Sequence, residues 1–129
     1  MTHKTILVIS DPGNMNDNLY KWVSNANGFD LEFASTDEEA IELCAQRLYD
    51  MVLMDGTDFT INRKKLLSVV PILNSEAVLL AYQGEEIDTL DEKVKIAFDI
   101  KKMKRLQQLL ILDSTGSDGV NGFVPFSLN

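Results

Sequence analysis

The chain has 129 residues, which is enough for one domain with a buried core. Its hydrophobic content of 45% and charged content of 25% are typical of a globular domain, and no apolar stretch approaches the ~20 residues of a membrane span. A net charge of −8 argues against nucleic-acid binding by the domain as a whole. With a single cysteine, Cys44, and a single histidine, His3, we expect no disulfide framework, no zinc site and a reduced, cytoplasmic location.

Strand and helix patterns alternate along most of the chain. Short continuous aliphatic runs predict buried strands, and apolar residues three and four apart predict helices. In chain order the predicted elements are strand 5–9, helix 15–26, strand 29–34, helix 37–48, strand 51–55, helix 61–73, strand 77–81, strand 94–98 and a basic helix that Asp99 caps. Thr36 and Glu39 form a capping box before the second helix. This alternation is typical of an α/β fold with a parallel sheet.

The connection between the last two predicted strands is unusually short. It has 12 residues, Tyr82 to Lys93, near the lower limit of about 10–12 for a crossover between parallel strands. We therefore expect the fourth helix to be short or missing. The residues of the basic helix that are predicted to face the core are Ile100, Met103, Leu106 and Leu110. Residues 114–129 have the composition of a tail or linker.

Two aspartates follow predicted strands. Asp55 ends the apolar run that begins at Met51, and Asp11 follows the first strand after Ser10. The carboxyl ends of parallel strands meet at one edge of a sheet, where ligands collect. A carboxylate and a cation are what phosphoryl transfer to an aspartate requires. The alternative for Asp55 is an ordinary loop aspartate at a strand end, and Asp11 could equally bind a metal weakly or cap the following helix.

These features resemble the receiver domain of two-component response regulators. The segment from Ile6 to Pro12, the segment from Tyr49 to Asp55 and the triplet Ala97-Phe98-Asp99 are similar to receiver sequences in order and spacing. The resemblance covers residues 4–113. It implies a flavodoxin-like (βα)5 sandwich around a central five-stranded parallel sheet of order 2-1-3-4-5.

The resemblance also implies roles for residues at the edge of the sheet. Asp55 would be the phosphoacceptor. Asp11, Asp55 and the backbone carbonyl of Thr57 would bind magnesium, with Ser10 contributing through a water molecule. Receivers commonly carry another acid where this chain has Ser10, so we expect magnesium to bind weakly, and we expect no other cofactor.

Two further positions depart from the receiver pattern. Receivers have a serine or threonine hydroxyl at the end of strand four, where this chain has Ala81, and a lysine at the end of strand five, where it has Ile96. Lys95 is one residue away, which in a strand would turn its side chain to the other face. Both departures affect the half of a receiver that reads phosphorylation. The sequence therefore predicts an atypical receiver, or pseudo-receiver.

Half of the basic residues lie close together. The predicted interaction surface consists of Lys93, Lys101, Lys102, Lys104 and Arg105. It is either a solvated helix face or a contact surface for an acidic partner or a second copy. Because residues 85–92 are acidic, a two-fold dimer could pair the two stretches in a salt-sensitive way.

Three functions remain open on the sequence. The first is a bacterial signalling module that binds other signalling proteins, a histidine kinase or an output domain, and is not an enzyme. The second is a working phosphoacceptor in a histidine–aspartate phosphorelay. The third, a flavodoxin-like enzyme or cofactor binder, lacks a visible nucleophile–base pair or phosphate-binding loop. We expect no direct contact with nucleic acid or membrane.

Overall fold

The computed structural model describes residues 3–25 and 28–118, with side chains described as far as residue 107. The chain forms two compact units, Met1–Lys95 and Ile96–Asn129. In chain order the elements are β1 (Lys4–Ile9), a short 3-10 helix (Pro12–Asn14), α1 (Asp17–Ser24), β2 (Phe29–Ala34), α2 (Asp37–Gln46), β3 (Met51–Asp55), α3 (Arg63–Leu73), β4 (Val78–Tyr82) and α4 (Ile87–Asp118). Among the described helices, none is long and apolar enough to span a bilayer.

The strands form one parallel sheet of order β2-β1-β3-β4. Its register pairs Ile9 with Met54 and Asp55 with Tyr82. The carboxyl ends of β1, β3 and β4 therefore lie side by side, and the residues that follow these strands meet at one edge. This confirms the α/β class and the first four strands of the predicted order 2-1-3-4-5.

Alternation along the strands divides the core between the two faces of the sheet. Leu7, Val52 and Met54 belong to a buried cluster with residues of α2 and α3. The intervening strand residues are also fully buried, and α1 and the first turns of α4 contribute Leu19, Trp22, Leu90 and Val94 to the core. The Trp22 indole donates to Asp91 at 3.2 Å, which joins α1 to α4 within the first unit.

The predicted capping box is present. The Glu39 amide donates to the Thr36 hydroxyl at 3.1 Å, and the Glu39 carboxylate accepts from the Ser35 amide. Cys44 is buried on the apolar face of α2, and burial raises the pKa of its thiol. Pro71 lies inside α3, which continues to Leu73.

The predicted fifth strand at 94–98 is wrong, and so is the short or missing fourth helix. Residues 94–98 lie inside α4, and the described part of the chain contains four strands. Gly84, at φ 91°, turns the chain out of β4, and no glycine or proline interrupts the sequence again before Gly116. Leu90 and Val94 are fully buried at helical spacing, so packing extends the helix through a run that local pattern favoured as a strand.

The predicted inward orientation of the basic helix is also wrong for its described side chains. Ile100, Met103 and Leu106 are each at least half exposed, and Asp99 lies within α4 instead of capping a helix. The side chain of Leu110 lies outside the described residues. The predicted boundaries of the receiver-like domain (4–113) and tail (114–129) stay predictions, although α4 continues to Asp118.

Candidate functional site

Asp55 lies at the carboxyl end of β3 and is almost completely buried, with 1% of its surface exposed. Its Oδ2 accepts a hydrogen bond from the Ser10 hydroxyl at 2.9 Å. Its Oδ1 accepts from the amide of Thr57 at 3.0 Å and from the hydroxyl of the same residue at 2.6 Å. Both carboxylate oxygens are therefore engaged by neighbouring side chains and backbone.

Gly56 lets the loop after β3 approach β4 closely. Its amide donates to the carbonyl of Tyr82 at 2.8 Å. A Cβ atom at this position would lie 2.6 Å from that carbonyl oxygen and 2.9 Å from the guanidinium of Arg63. Because Gly56 has no side chain, the loop can pass this close to β4, and this path places Thr57 beside Asp55.

Asp11 caps the short 3-10 helix. Its carboxylate accepts from the Gly13 amide at 3.0 Å and from the Asn14 side chain at 3.0 Å. Its backbone amide donates to Asp58 at 3.1 Å. The capping alternative for Asp11 is thus present in the structure, and its two carboxylate oxygens each have a protein donor.

Asp58 is a buried residue of this edge that the sequence reasoning missed. It is 6% exposed and accepts from the Thr60 amide at 2.9 Å as well as from Asp11. Burial alone would raise the pKa of this carboxyl, but the hydrogen bonds from Thr60 and Asp11 hold it below its ordinary value. The signal was available: Asp58 and Thr60 repeat the Asp-x-Thr spacing of Asp55 and Thr57.

Tyr82 follows the predicted switch position Ala81 and closes this edge at β4. Its ring is fully buried, and its hydroxyl is 2.8 Å from the side-chain oxygen of Asn16 and 3.1 Å from the Glu85 carbonyl. Burial is the main cause that raises the pKa of the Tyr82 phenol, and the negative charges of Glu85 and Asp55 raise it further. The phenol is therefore neutral at physiological pH.

Lys93 has a local structural role. Its ammonium group donates to the Ala81 carbonyl at 2.7 Å and forms an ion pair with Glu85. Burial would raise the pKa of Glu85, but the hydrogen bond from Lys93 brings it below its ordinary value. Lys93 therefore ties the first turns of α4 to the end of β4.

The other predicted site residues lie on α4. Ile96, the predicted position of the receiver lysine, is a half-exposed residue of α4 and does not end a strand. The remaining members of the predicted interaction surface lie five to nine residues further along the same helix: Lys101, Lys102, Lys104 and Arg105. Lys95, the displaced lysine, pairs with Asp91 at 2.8 Å on the helix surface.

The aspartates predicted to bind magnesium are already hydrogen-bonded. Both carboxylate oxygens of Asp55 and of Asp11 accept from protein donors, so a magnesium ion would have to share or displace these contacts. Among the described side chains, which end at residue 107, no group of three or more acidic, histidine or cysteine residues is placed to hold a metal. What this edge does hold is a closed hydrogen-bond network around a buried carboxylate.

Comparison with known proteins gives a likeness of fold. No family model and no curated protein matches the chain. Among solved structures, the receiver domain of the hybrid histidine kinase CckA superposes with a TM-score of 0.56 at 19% identity, covering 73% of this chain and 98% of that one. A fusion protein containing the yeast Spc42 trimeric coiled coil matches with a TM-score of 0.53 at 17% identity, covering 88% of this chain and 87% of the fusion. The chain therefore has a receiver-like α/β fold.

Proposed function

We propose that this chain is a receiver-like signalling module that acts mainly by binding other proteins, with a degenerate phosphoacceptor site at Asp55. The observation that carries the proposal is the closed environment of that carboxylate. Asp55 is 1% exposed, and Ser10 and Thr57 supply donors to both of its oxygens.

A phosphoacceptor carboxylate must present an oxygen to the incoming phosphorus atom. In phosphoryl transfer, a positive group must also offset the charge that develops on the transferred oxygens. Hydrogen bonds from Ser10 and Thr57 draw electron density from both oxygens of Asp55 and make them weaker nucleophiles, and the carboxylate is almost completely buried. Lys93, whose ammonium group donates to the Ala81 carbonyl at the end of β4, is already paired with Glu85. These contacts support a site that accepts a phosphoryl group slowly or not at all.

The neighbouring strand end supports loss of switching as well. Ala81 has no hydroxyl that could turn toward a phosphoryl group. The next residue, Tyr82, is buried and held through its hydroxyl by Asn16 and the Glu85 carbonyl. A side chain held in this way favours one arrangement of the edge, so the binding surface would be the same with or without phosphorylation.

The proposed partners are other signalling proteins, a histidine kinase or an output domain, in the bacterial cytoplasm. Lys102 and Lys104 are exposed on α4 and would contact acidic groups of such a partner. We do not propose nucleic acid or anionic membranes as partners, because the net charge of −8 would repel them. The proposal includes no enzymatic activity and no cofactor apart from a weakly bound magnesium ion, which would require the edge to rearrange.

The test is the intact mass of the chain after incubation with acetyl phosphate and magnesium, beside Asp55→Ala as a control. We expect no mass gain in either protein while circular dichroism shows that both are folded. A gain of one phosphoryl group that disappears in Asp55→Ala would overturn the proposal. It would identify the chain as a working phosphoacceptor, the alternative that the position of Asp55 at the end of β3 favours.

A further inference from the structure

The second unit exposes an apolar stripe along α4. Ile96 is 50% exposed, Ile100 51% and Met103 60%. Their spacing of four and then three residues places them on one side of a helix, as in the contact seam of a coiled coil. A helix that presents such a stripe to water has an apolar surface that pairing would bury.

We propose that this stripe pairs with the same stripe of a second copy, as a parallel two-stranded coiled coil. The inference deepens the proposed function because it names one partner of the interaction module. It does not depend on the chemistry of Asp55. Its test measures self-association alone. The dimer proposal can therefore fail while the proposal about Asp55 stands, and the Asp55 proposal can fail while the dimer is observed.

A heptad register follows from the spacing. With Ile96 and Met103 at d positions, Ile100 occupies the a position between them, and Gln107 occupies the next a position. The basic residues then lie on the outer face, at b, c and f: Lys101, Lys102 and Arg105.

The flanking charges favour a parallel pair of identical helices. Asp99 falls at a g position and Lys104 at the e position five residues later. In a parallel coiled coil, g of one helix lies beside e of the next heptad of its partner, so each Asp99 would meet a Lys104 of the other copy. Both residues are exposed. In an antiparallel pair, g lies beside g and e beside e, so Asp99 would face Asp99 and Lys104 would face Lys104, and like charges would repel.

The apolar seam covers the first part of this helix. From residue 96 to its end at Asp118, α4 has 23 residues, and the register places apolar residues at its d positions from Ile96 to Leu110. An identical helix supplies a matching stripe and the complementary charges at once. A second copy is therefore the partner that this surface fits.

Sedimentation of the whole chain over a range of concentrations tests the pairing. We expect a reversible dimer that persists at high salt because the seam is apolar. Ile100→Ser/Met103→Ser should raise the dimer dissociation constant on the order of tenfold or more, since two buried apolar side chains per copy are lost. The matched control Lys102→Ser introduces the same residue on the outer face and should leave the dimer unchanged.

A charge exchange tests the orientation. Asp99→Lys and Lys104→Asp should each weaken the dimer by about two- to tenfold at low salt, and the double variant should recover the affinity of the unmodified chain. A monomer at every concentration would overturn the proposal, as would a dimer unaffected by the seam substitutions. Single variants that weaken the dimer without recovery in the double variant would rule out the parallel arrangement. A dimer that dissociates at high salt would instead support pairing of the acidic stretch 85–92 with the basic residues.

Discussion

The Ser10 hydroxyl donates a 2.9 Å hydrogen bond to Oδ2 of Asp55, joining residues 45 apart in sequence at the ends of neighbouring strands. Both side chains are buried, at 3% and 1% exposure. In this chain the residue after β1 is therefore a hydrogen-bond donor to the acidic residue that ends β3, where a second acid would have repelled it. The contact stabilises the edge of the sheet and at the same time occupies an oxygen that phosphoryl transfer would need.

Ser10→Ala should lower the free energy of unfolding by about 1–3 kcal/mol, because a buried carboxylate oxygen loses its donor. Urea unfolding followed by the fluorescence of Trp22, the single and buried tryptophan, measures this change. The control is Ser24→Ala, whose hydroxyl donates to the Tyr20 carbonyl on the exposed surface of α1. We expect that change to stay within about 0.5 kcal/mol. Equal effects in the two variants would contradict the structural role of the Ser10–Asp55 contact.

Gly56→Ala should be strongly destabilising. The new Cβ would lie 2.6 Å from the Tyr82 carbonyl oxygen, which cannot move without breaking the hydrogen bond from the Gly56 amide. We expect a loss of about 1–3 kcal/mol in the same urea experiment, as for other overpacked positions. Gly13→Ala is the matched control, since its Cβ would meet only the Asp11 carboxylate at an ordinary 3.6 Å. A tolerated alanine at 56 would show that the loop after β3 lies further from β4.

Asp58 should make stability depend on pH. Its pKa is lower in the folded chain than the ordinary value of about 3.9, because donors from Thr60 and Asp11 outweigh the effect of burial. Its stabilisation is therefore complete above the ordinary value and is lost as the pH falls through the lower, folded-state value. Asp58→Asn should be less stable than the unmodified chain at neutral pH, and the difference should shrink in acid. Urea unfolding at several pH values tests this, and a difference that grows in acid would refute it.

Lys93→Met should destabilise the first unit, although the sequence placed Lys93 on an interaction surface. The substitution removes the ion pair with Glu85 and the hydrogen bond to the Ala81 carbonyl, leaving a largely buried carboxylate without its cation. The pKa of Glu85 should then rise, which NMR titration of the carboxyl carbon can follow. Lys102→Met, at an exposed position of α4, is the control and should change neither stability nor the Glu85 titration. If the two variants have the same stability and the same Glu85 titration, Lys93 has no structural role and belongs to the predicted interaction surface.

The amino-acid sequence determined the elements whose signals are local. Strands 29–34 and 51–55 were predicted with the bounds of β2 and β3, and the capping box at Thr36 marked the start of α2. Aliphatic runs and side-chain caps depend on neighbouring residues, so they can be read without knowing the fold. Asp55 was likewise placed at a strand end, because a buried run followed by a polar loop has few other interpretations.

Only the tertiary structure decided which residues hydrogen-bond to Asp55 and that residues 87–107 form a helix. The donors from Ser10 and Thr57 follow from strand register and from the close approach of Gly56 to Tyr82. Local pattern favours a strand for the run 94–98, whereas the burial of Leu90 and Val94 at helical spacing selects the helix. Such choices depend on contacts between residues far apart in sequence, and local pattern carries no information about these.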